Sequence, residues 1–139
     1  MSLFVLDEQL SNPKLLRVLS KRYSIKLLND IRPKEHMLDD RIASILLTMD
    51  RPTFITIDVG LFHGIECHSR YGILHFVLED KEQELLVPML RQLLLMPEFA
   101  TRAARMGKAA RVTKSYVEHW ELHHPESRRI PWSPFRKKR

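Results

Sequence analysis

The sequence predicts an α/β fold with a mainly parallel central sheet of four or five strands. Two observations lead to this class. Short apolar runs alternate along the chain with amphipathic stretches of helical period, which is typical of parallel strands joined by crossover helices. The composition of the 139 residues, 44% hydrophobic and 29% charged, is that of a globular domain.

The first half of the chain is predicted to follow the order β-α-β-α-β. Its candidate strands are the apolar runs at residues 3–6, 25–28 and 54–57. The first helix is predicted to begin near Asn12 and Pro13, because Asn caps helices and Pro is tolerated in the first turn. The second helix is predicted to begin at Asp39 and Asp40 and to present an apolar side that includes Ile42.

The second half is predicted to add one strand and two helices. Residues 73–78 form the fourth candidate strand, and a strongly amphipathic helix follows over residues 85–94. A further helix is predicted from about Phe99 to Lys114, with Gly107 as a weak point because glycine disfavours helices.

Positive charge is concentrated in the last part of the chain. Residues 1–100 hold 12 Lys/Arg and 14 Asp/Glu, a balance of −2, whereas residues 101–139 hold 11 and 3, a balance of +8. Such asymmetry favours a polyanionic partner, most often nucleic acid, although a solubilising tail is the alternative. Because residues 123–139 are rich in proline and basic residues, we expect them to be loosely held. We therefore predict a domain at 1–115 and a basic C-terminal extension at 116–139.

Five basic residues recur at every third position of the last predicted helix. On a helix this spacing produces a broad basic stripe that would contact phosphates without selecting a sequence. The alternative is an ordinary solvated helix face. The predicted RNA-binding residues are Arg102, Arg105, Lys108, Arg111 and Lys114.

Acidic residues follow two of the candidate strands and begin one of the helices. Asp7 and Glu8 come after the first strand, Asp58 after the third, and Asp39 and Asp40 at the helix start. Parallel strands that are neighbours bring their carboxyl ends together, and α/β proteins bind ligands there. Clustered carboxylates repel one another unless a cation is present, and Mg²⁺ or Mn²⁺ takes oxygen ligands. The sequence therefore predicts a metal site of these five acids, although each could instead be a surface acid or a helix cap.

The three motifs resemble the PIN-like domain family, and in particular its small members whose first strand ends in Leu-Asp-Glu-Asn-Leu. The motifs are residues 6–10, 39–43 and 55–58, and the resemblance covers about residues 3–78. It implies a three-layer α/β/α fold and Mg²⁺- or Mn²⁺-dependent ribonuclease activity, often as the toxin of a toxin–antitoxin pair. It assigns the catalytic acids to Asp7, Asp39 and Asp58, and a supporting role to Thr56.

Two positions depart from the family pattern. Gln9 stands where the family has Asn, and Gly60 stands where a further acid usually follows Asp58. The predicted function is hydrolysis of RNA phosphodiester bonds by a carboxylate-bound metal. The alternative is a catalytically impaired PIN-like module that binds RNA or protein. A phosphoacceptor domain is a third hypothesis, and it would need a hydroxyl residue after the fourth strand and a lysine after the fifth.

The remaining expectations concern location and partners. Cys67 is the sole cysteine, which excludes an internal disulfide and fits a reducing cytoplasm. The N-terminal residues lack the basic region of a signal peptide, and no apolar run approaches the length of about 20 residues that spans a bilayer. We expect a cytoplasmic protein whose partners are RNA, an antitoxin protein and a second copy of the chain, and no membrane.

Overall fold

The computed structural model describes residues 2–10, 12–28, 39–58 and 66–133, without the side chains of Asp39, Asp40 and Pro125. The strands are β1 Leu3–Leu6, β2 Ser24–Leu27, β3 Thr53–Thr56, β4 Gly72–Phe76, β5 Lys108–Val112, β6 Tyr116–Glu121 and β7 His124–Pro131. The helices are α1 Pro13–Ser20, α2 Asp39–Leu46, α3 Leu86–Leu93 and α4 Arg102–Arg105, and a 3-10 helix, Asp80–Leu85, leads into α3. Among these described helices, none has the length and apolar character needed to cross a membrane.

One sheet contains all seven strands, in the order β2-β1-β3-β4-β5-β6-β7. The pairings from β2 to β5 are parallel, and β6 and β7 continue the sheet as an antiparallel hairpin. The α/β class with a mainly parallel sheet is confirmed, whereas the sheet has more strands than the four or five predicted. The order 2-1-3-4-5 is that of flavodoxin-like doubly wound sheets, in which ligands bind at the carboxyl ends of β1 and β3.

Apolar side chains fill both faces of the sheet. On one face, Phe4, Leu6 and Ile55 pack with residues of α1 and α3 in a buried cluster. On the other face, a second cluster joins α2 to the strands through Val5 and Phe54. Because successive residues of a strand point to opposite faces, this alternation fixes the face of every strand residue. The helices thus cover the centre of the sheet and leave the carboxyl ends of its strands for other contacts.

The prediction of a single helix from Phe99 to Lys114 is wrong. Thr101 caps a helix of one turn, α4, by accepting a hydrogen bond from the Ala104 backbone N–H at 3.0 Å. Gly107 then adopts a φ of 77°, a conformation that favours glycine and that ends the helix. The next five residues form strand β5, and four of them, Ala109 to Val112, pair with β4.

The expectation of a loosely held tail is wrong for residues 123–133. Most of them belong to β7, which pairs with β6, and the indole Nε1–H of Trp132 donates to the Thr113 backbone oxygen at 2.6 Å. The predicted domain boundary after residue 115 therefore falls between β5 and β6, which are hydrogen-bonded neighbours in the sheet. Residues 134–139 lie outside the described residues.

Candidate functional site

The structure brings Asp7, Thr56 and Asp58 together at the carboxyl ends of β1 and β3. The Thr56 hydroxyl donates to Asp7 Oδ2 at 2.8 Å and accepts a hydrogen bond from the Asp58 backbone N–H at 2.9 Å. The parallel ladder continues to this point, since the Asp7 backbone N–H donates to the Ile55 oxygen at 3.0 Å. One threonine hydroxyl thus positions the two strand-end acids relative to each other.

Asp7 is the most constrained carboxylate of this group. Its side chain is 1% exposed, and the loss of water raises its pKa above the ordinary value of 3.8. The hydrogen bond from Thr56 acts in the opposite direction and lowers the pKa of Asp7, while the nearby Asp58 carboxylate raises it. A buried carboxylate that faces a second carboxylate is the arrangement that a bound cation would stabilise.

The other predicted acids have different surroundings. Glu8 is exposed in the turn that follows β1. Asp39 and Asp40 are the first residues of α2, which returns the chain from the carboxyl end of β2 toward the start of β3, but their side chains lie outside the described residues. Gly60, the departure from the family pattern, also lies outside them. The assignment of Asp39 and Asp40 as ligands stays a prediction.

Gln9 stands at the family's Asn position and is linked to Asp58. Its side-chain Nε2 lies 3.5 Å from Asp58 Oδ2, and its backbone oxygen accepts a hydrogen bond of 2.7 Å from the Gln83 side chain. Gln83 is buried and also accepts from the Asn12 backbone N–H at 3.3 Å. The turn after β1 is therefore tied to the 3-10 helix, which holds the Asp7 backbone in place.

The donor atoms at this site fit a hard divalent cation in kind. Asp7 and Asp58 offer carboxylate oxygens, which Mg²⁺ and Mn²⁺ prefer, and Mg²⁺ usually keeps several waters besides one or two protein carboxylates. Within the described residues, no three His, Cys, Asp or Glu side chains are placed as a metal-binding group. The described carboxylates are thus a pair, and Asp39 or Asp40 of α2 stays the predicted third acid.

The basic residues predicted as a helical stripe lie on separate elements. Arg102 belongs to α4 and donates to Asp50 Oδ2 at 3.1 Å, whereas Lys108 begins β5 and donates to the Glu98 backbone oxygen at 2.8 Å. Arg111 lies within β5, and Lys114 follows it and pairs with Glu82. The prediction of a single basic stripe is wrong, because it required these residues to lie on one helix. RNA binding by these residues stays a prediction.

Arg105 is a structural residue of the opposite end of the sheet. Its guanidinium is 1% exposed and donates to Thr53 Oγ1 at 3.0 Å, to the Phe99 backbone oxygen at 2.8 Å and to the Ser2 hydroxyl. Burial lowers the pKa of Arg105 to about 10, so the side chain stays charged at neutral pH. The prediction that Arg105 binds RNA is therefore wrong, because its guanidinium is buried and donates to atoms of the protein itself.

Two polar residues lie near the acids in the sheet, Arg111, which the sequence predicted as RNA-binding on a helix, and His75, which the sequence interpretation missed. His75 pairs in register with Thr56 of β3 and with Arg111 of β5. Both lie on the α2 face of the sheet, because Ile73 and Ala109, two residues earlier in the same strands, belong to the α2 cluster. Inside a run of apolar residues a lone histidine suggests a core position, so only strand register reveals this neighbourhood.

The structure adds one observation to the phosphoacceptor hypothesis. Lys114 is the second residue after β5, the region where that hypothesis needs a lysine, although its ammonium pairs with Glu82. The two residues after β4 are Val77 and Leu78, which have no hydroxyl. One of the two required residues is therefore present and the other is not.

Fold and site together define an α/β protein with an open sheet of flavodoxin-like strand order and a carboxylate pair at its β1–β3 junction. Comparisons of the chain with protein-family models, curated proteins and solved structures find no match.

Proposed function

We propose that this protein is a metal-dependent ribonuclease of PIN-like type, acting as the toxin of a toxin–antitoxin pair in the cytoplasm. The observation that carries the proposal is the Asp7–Thr56–Asp58 unit, in which one hydroxyl bonds both acidic residues at the carboxyl ends of adjacent parallel strands. The three-layer PIN-like arrangement, an antitoxin partner and a homodimer are parts of the same proposal.

The residues of the site would have distinct tasks. Thr56 fixes the orientation of Asp7 by donating to Oδ2, and the backbone N–H groups of Glu8 and Gln9 also hydrogen-bond the Asp7 carboxylate. Asp58 is half-buried and holds its carboxylate at the border with solvent, where RNA would approach. Bound at these oxygens, Mg²⁺ or Mn²⁺ would lower the pKa of an attacking water and neutralise charge on the phosphate.

The binding test is a Mn²⁺ titration by calorimetry. We expect the wild-type protein to bind, and Asp7→Asn and Asp58→Asn to bind at least about tenfold more weakly, since each removes one charged ligand. Asp50→Asn is the matched control, because Asp50 is an exposed acid at the opposite end of the sheet. Binding should strengthen as pH rises, because Asp7 must lose its proton and burial raises its pKa.

The activity test follows the cleavage of single-stranded and structured RNA in the presence of Mn²⁺. We expect wild type and Asp50→Asn to cleave and Asp58→Asn to be inactive. Expression of the wild type should also arrest growth in a way that Asp58→Asn does not. If the wild type neither binds Mn²⁺, with or without a non-cleavable RNA, nor cleaves, the ribonuclease proposal is wrong and the impaired RNA-binding module remains.

The phosphoacceptor function is a second candidate, which Lys114 after β5 favours. Its test is incubation with acetyl phosphate and Mg²⁺, followed by mass spectrometry of the intact chain. A phosphoryl adduct that Asp58→Asn abolishes and Asp50→Asn retains would support it. Cleavage of RNA without such an adduct would decide for the ribonuclease.

A further inference from the structure

Two neighbouring rows of side chains cross the α2 face of the sheet, and they differ in chemistry. The row nearer the amino ends of the strands is apolar and follows the register Val5, Phe54, Ile73 and Ala109. The next row on the same face, toward the carboxyl ends, consists of Asp7, Thr56, His75 and Arg111. We call this second set the polar row.

The polar row is unusual for the parallel part of a sheet. Strands of this kind are covered on both faces and are normally apolar throughout. Asp7, Thr56 and His75 are nevertheless 1%, 0% and 2% exposed, so the fold places three polar side chains side by side in its interior. Since neighbouring strands lie about 4.8 Å apart, the row extends from the carboxylate pair to Arg111 without an apolar interruption.

The polar row ends in a surface groove. A cavity of about 560 Å³ lies over the carboxyl ends of β3, β4 and β5, and its lining includes His75, Arg111, Thr113 and Lys114. Its volume is within the range of about 300–1,000 Å³ that is usual for ligand sites. Ile57, which stands between Thr56 and Asp58 in the sequence, also lines the groove, whereas the side chains of the carboxylate pair are not part of its lining.

The charges in the groove leave Arg111 as the group available to an anion. The acids that line it already have partners, since Glu82 pairs with Lys114, and Glu79 lies 3.4 Å from Lys81. The Arg111 Nε atom is buried and makes no hydrogen bond to any described residue. A buried guanidinium donor needs an acceptor, and phosphate matches its planar fork in two parallel hydrogen bonds.

The neighbour of Arg111 on the other side does not supply that acceptor. Glu118 pairs with Arg111 in register across β5 and β6. Its carboxylate instead accepts a hydrogen bond of 2.8 Å from the Ser127 hydroxyl and lies 3.7 Å from Arg129 Nη2. The β6–β7 hairpin thus engages both carboxylate oxygens of Glu118.

We propose that His75 and Arg111 form a phosphate-binding subsite that holds the backbone of RNA beside Asp7 and Asp58. The inference rests on the proposed ribonuclease function and names the residues that would bind its substrate. Arg111 would donate to a phosphate oxygen in the groove, and His75 would donate from its ring N–H next to it. Their place in the polar row would align a phosphodiester with the carboxylate pair.

The test measures binding of a short fluorescein-labelled single-stranded RNA by anisotropy, in EDTA and over a series of salt concentrations. We expect Arg111→Gln to weaken binding about ten- to a hundredfold, the effect of one hydrogen bond to a charged group. The slope of log K against log salt should also fall by about 0.7, as for one lost contact with a single strand. Arg91→Gln is the matched control, because Arg91 is exposed on α3, on the opposite face.

Two conservative variants separate a loss of RNA affinity from a loss of folding. Arg111→Lys retains the charge and the aliphatic stem, so we expect it to fold, to keep the salt slope and to lose affinity through the missing planar fork. His75→Gln keeps a donor and should bind more weakly than wild type but more tightly than Arg111→Gln. Circular dichroism melting establishes that each variant is folded before its affinity is compared.

The outcomes separate this inference from the ribonuclease proposal. If Arg111→Gln binds RNA as tightly as Arg91→Gln, or if the wild type binds no RNA, the phosphate subsite is wrong. Loss of RNA affinity together with unchanged Mn²⁺ binding in Arg111→Gln supports it. Loss of cleavage in Asp58→Asn with full RNA affinity in Arg111→Gln would leave the ribonuclease standing without this subsite.

Discussion

Replacement of Thr56 by valine tests whether one hydroxyl holds the candidate site together. Valine has nearly the same shape as threonine, and the Thr56 side chain is fully buried, so the change removes the hydroxyl without opening a cavity. Two hydrogen bonds disappear: the one donated to Asp7 Oδ2 at 2.8 Å and the one accepted from the Asp58 N–H at 2.9 Å. Asp7 then keeps its buried charge without that donor.

The expected cost follows from these two bonds. A hydrogen bond to a charged group contributes about 1.5–3 kcal/mol, and one between neutral groups about 0.5–1.5 kcal/mol. Since Asp58 is half-buried, water can replace part of the second contribution. We therefore expect Thr56→Val to lower the free energy of unfolding by about 2–4 kcal/mol, a large share of the total of about 5–15 kcal/mol.

Thr56→Ser is the control for this prediction. Serine keeps both hydrogen bonds and loses only a methyl group, at about 1 kcal/mol. Urea denaturation at neutral pH should find Thr56→Val less stable than Thr56→Ser, and Mn²⁺ affinity should fall in the valine variant alone. The difference in the free energy of unfolding between the two variants should narrow in acid. The hydroxyl stabilises the ionised form of Asp7, and that form is lost below the pKa of Asp7. Equal stability of the two variants at neutral pH would refute the argument.

Three further changes test the site and its scaffold. Asp7→Asn should raise the free energy of unfolding at pH 7 and leave it unchanged in strong acid. Burial raises the pKa of Asp7 in the folded protein above 3.8, so the stability of the wild type falls as pH rises through that pKa. Urea denaturation at several pH values checks this prediction. Gly72→Ala should cost about 1–3 kcal/mol in thermal unfolding, because its Cβ would lie 2.5 Å from the Arg105 backbone oxygen. Arg105→Met should lower the free energy of unfolding by about 1–3 kcal/mol, because the Phe99 oxygen and the Thr53 hydroxyl lose their donor. A melting temperature equal to that of the wild type would contradict this prediction.

The parts of the fold that local patterns specify could be predicted from the sequence. The runs that became β1 and β3 are four apolar or β-branched residues followed by an acid, and the strands start within one residue of the predicted positions. Helix α1 carries its own start signal, because the Asn12 side chain accepts from the Lys14 backbone N–H at 3.0 Å. Asp7 and Asp58 follow from these local signals together with the rule that parallel strands end side by side.

The last third of the chain could not be predicted in the same way, because two patterns overlap there. A helix is predicted from about Phe99 to Lys114, and the basic stripe depends on it, whereas Gly107 and the residues after it specify a turn and a strand. In β6, Val117 and His119 are buried and Glu118 between them is not. That alternation belongs to the structure, because residues 116–121 do not alternate between apolar and polar types in the sequence.

The polar row is a property of register, which no single segment of the sequence contains. A shift of β4 by one residue would turn His75 to the other face of the sheet and remove it from the neighbourhood of Thr56 and Arg111. The apolar row beside it fixes that register, because Phe54 and Ile73 must both face the α2 cluster. The packing that makes the sheet stable therefore also aligns its polar side chains.

This coupling explains why the polar row argues for a site rather than for an imperfect core. The interior of the sheet can be fully apolar, as the row of Val5, Phe54 and Ile73 demonstrates two residues away in the same strands. In the polar row, by contrast, the buried carboxylate of Asp7, whose pKa is raised, lies beside a threonine and a histidine of the neighbouring strands. Stability alone gives no reason for this arrangement. The Asp7→Asn variant tests that argument, because a gain in stability with a loss of Mn²⁺ binding is expected only of a residue kept for its chemistry.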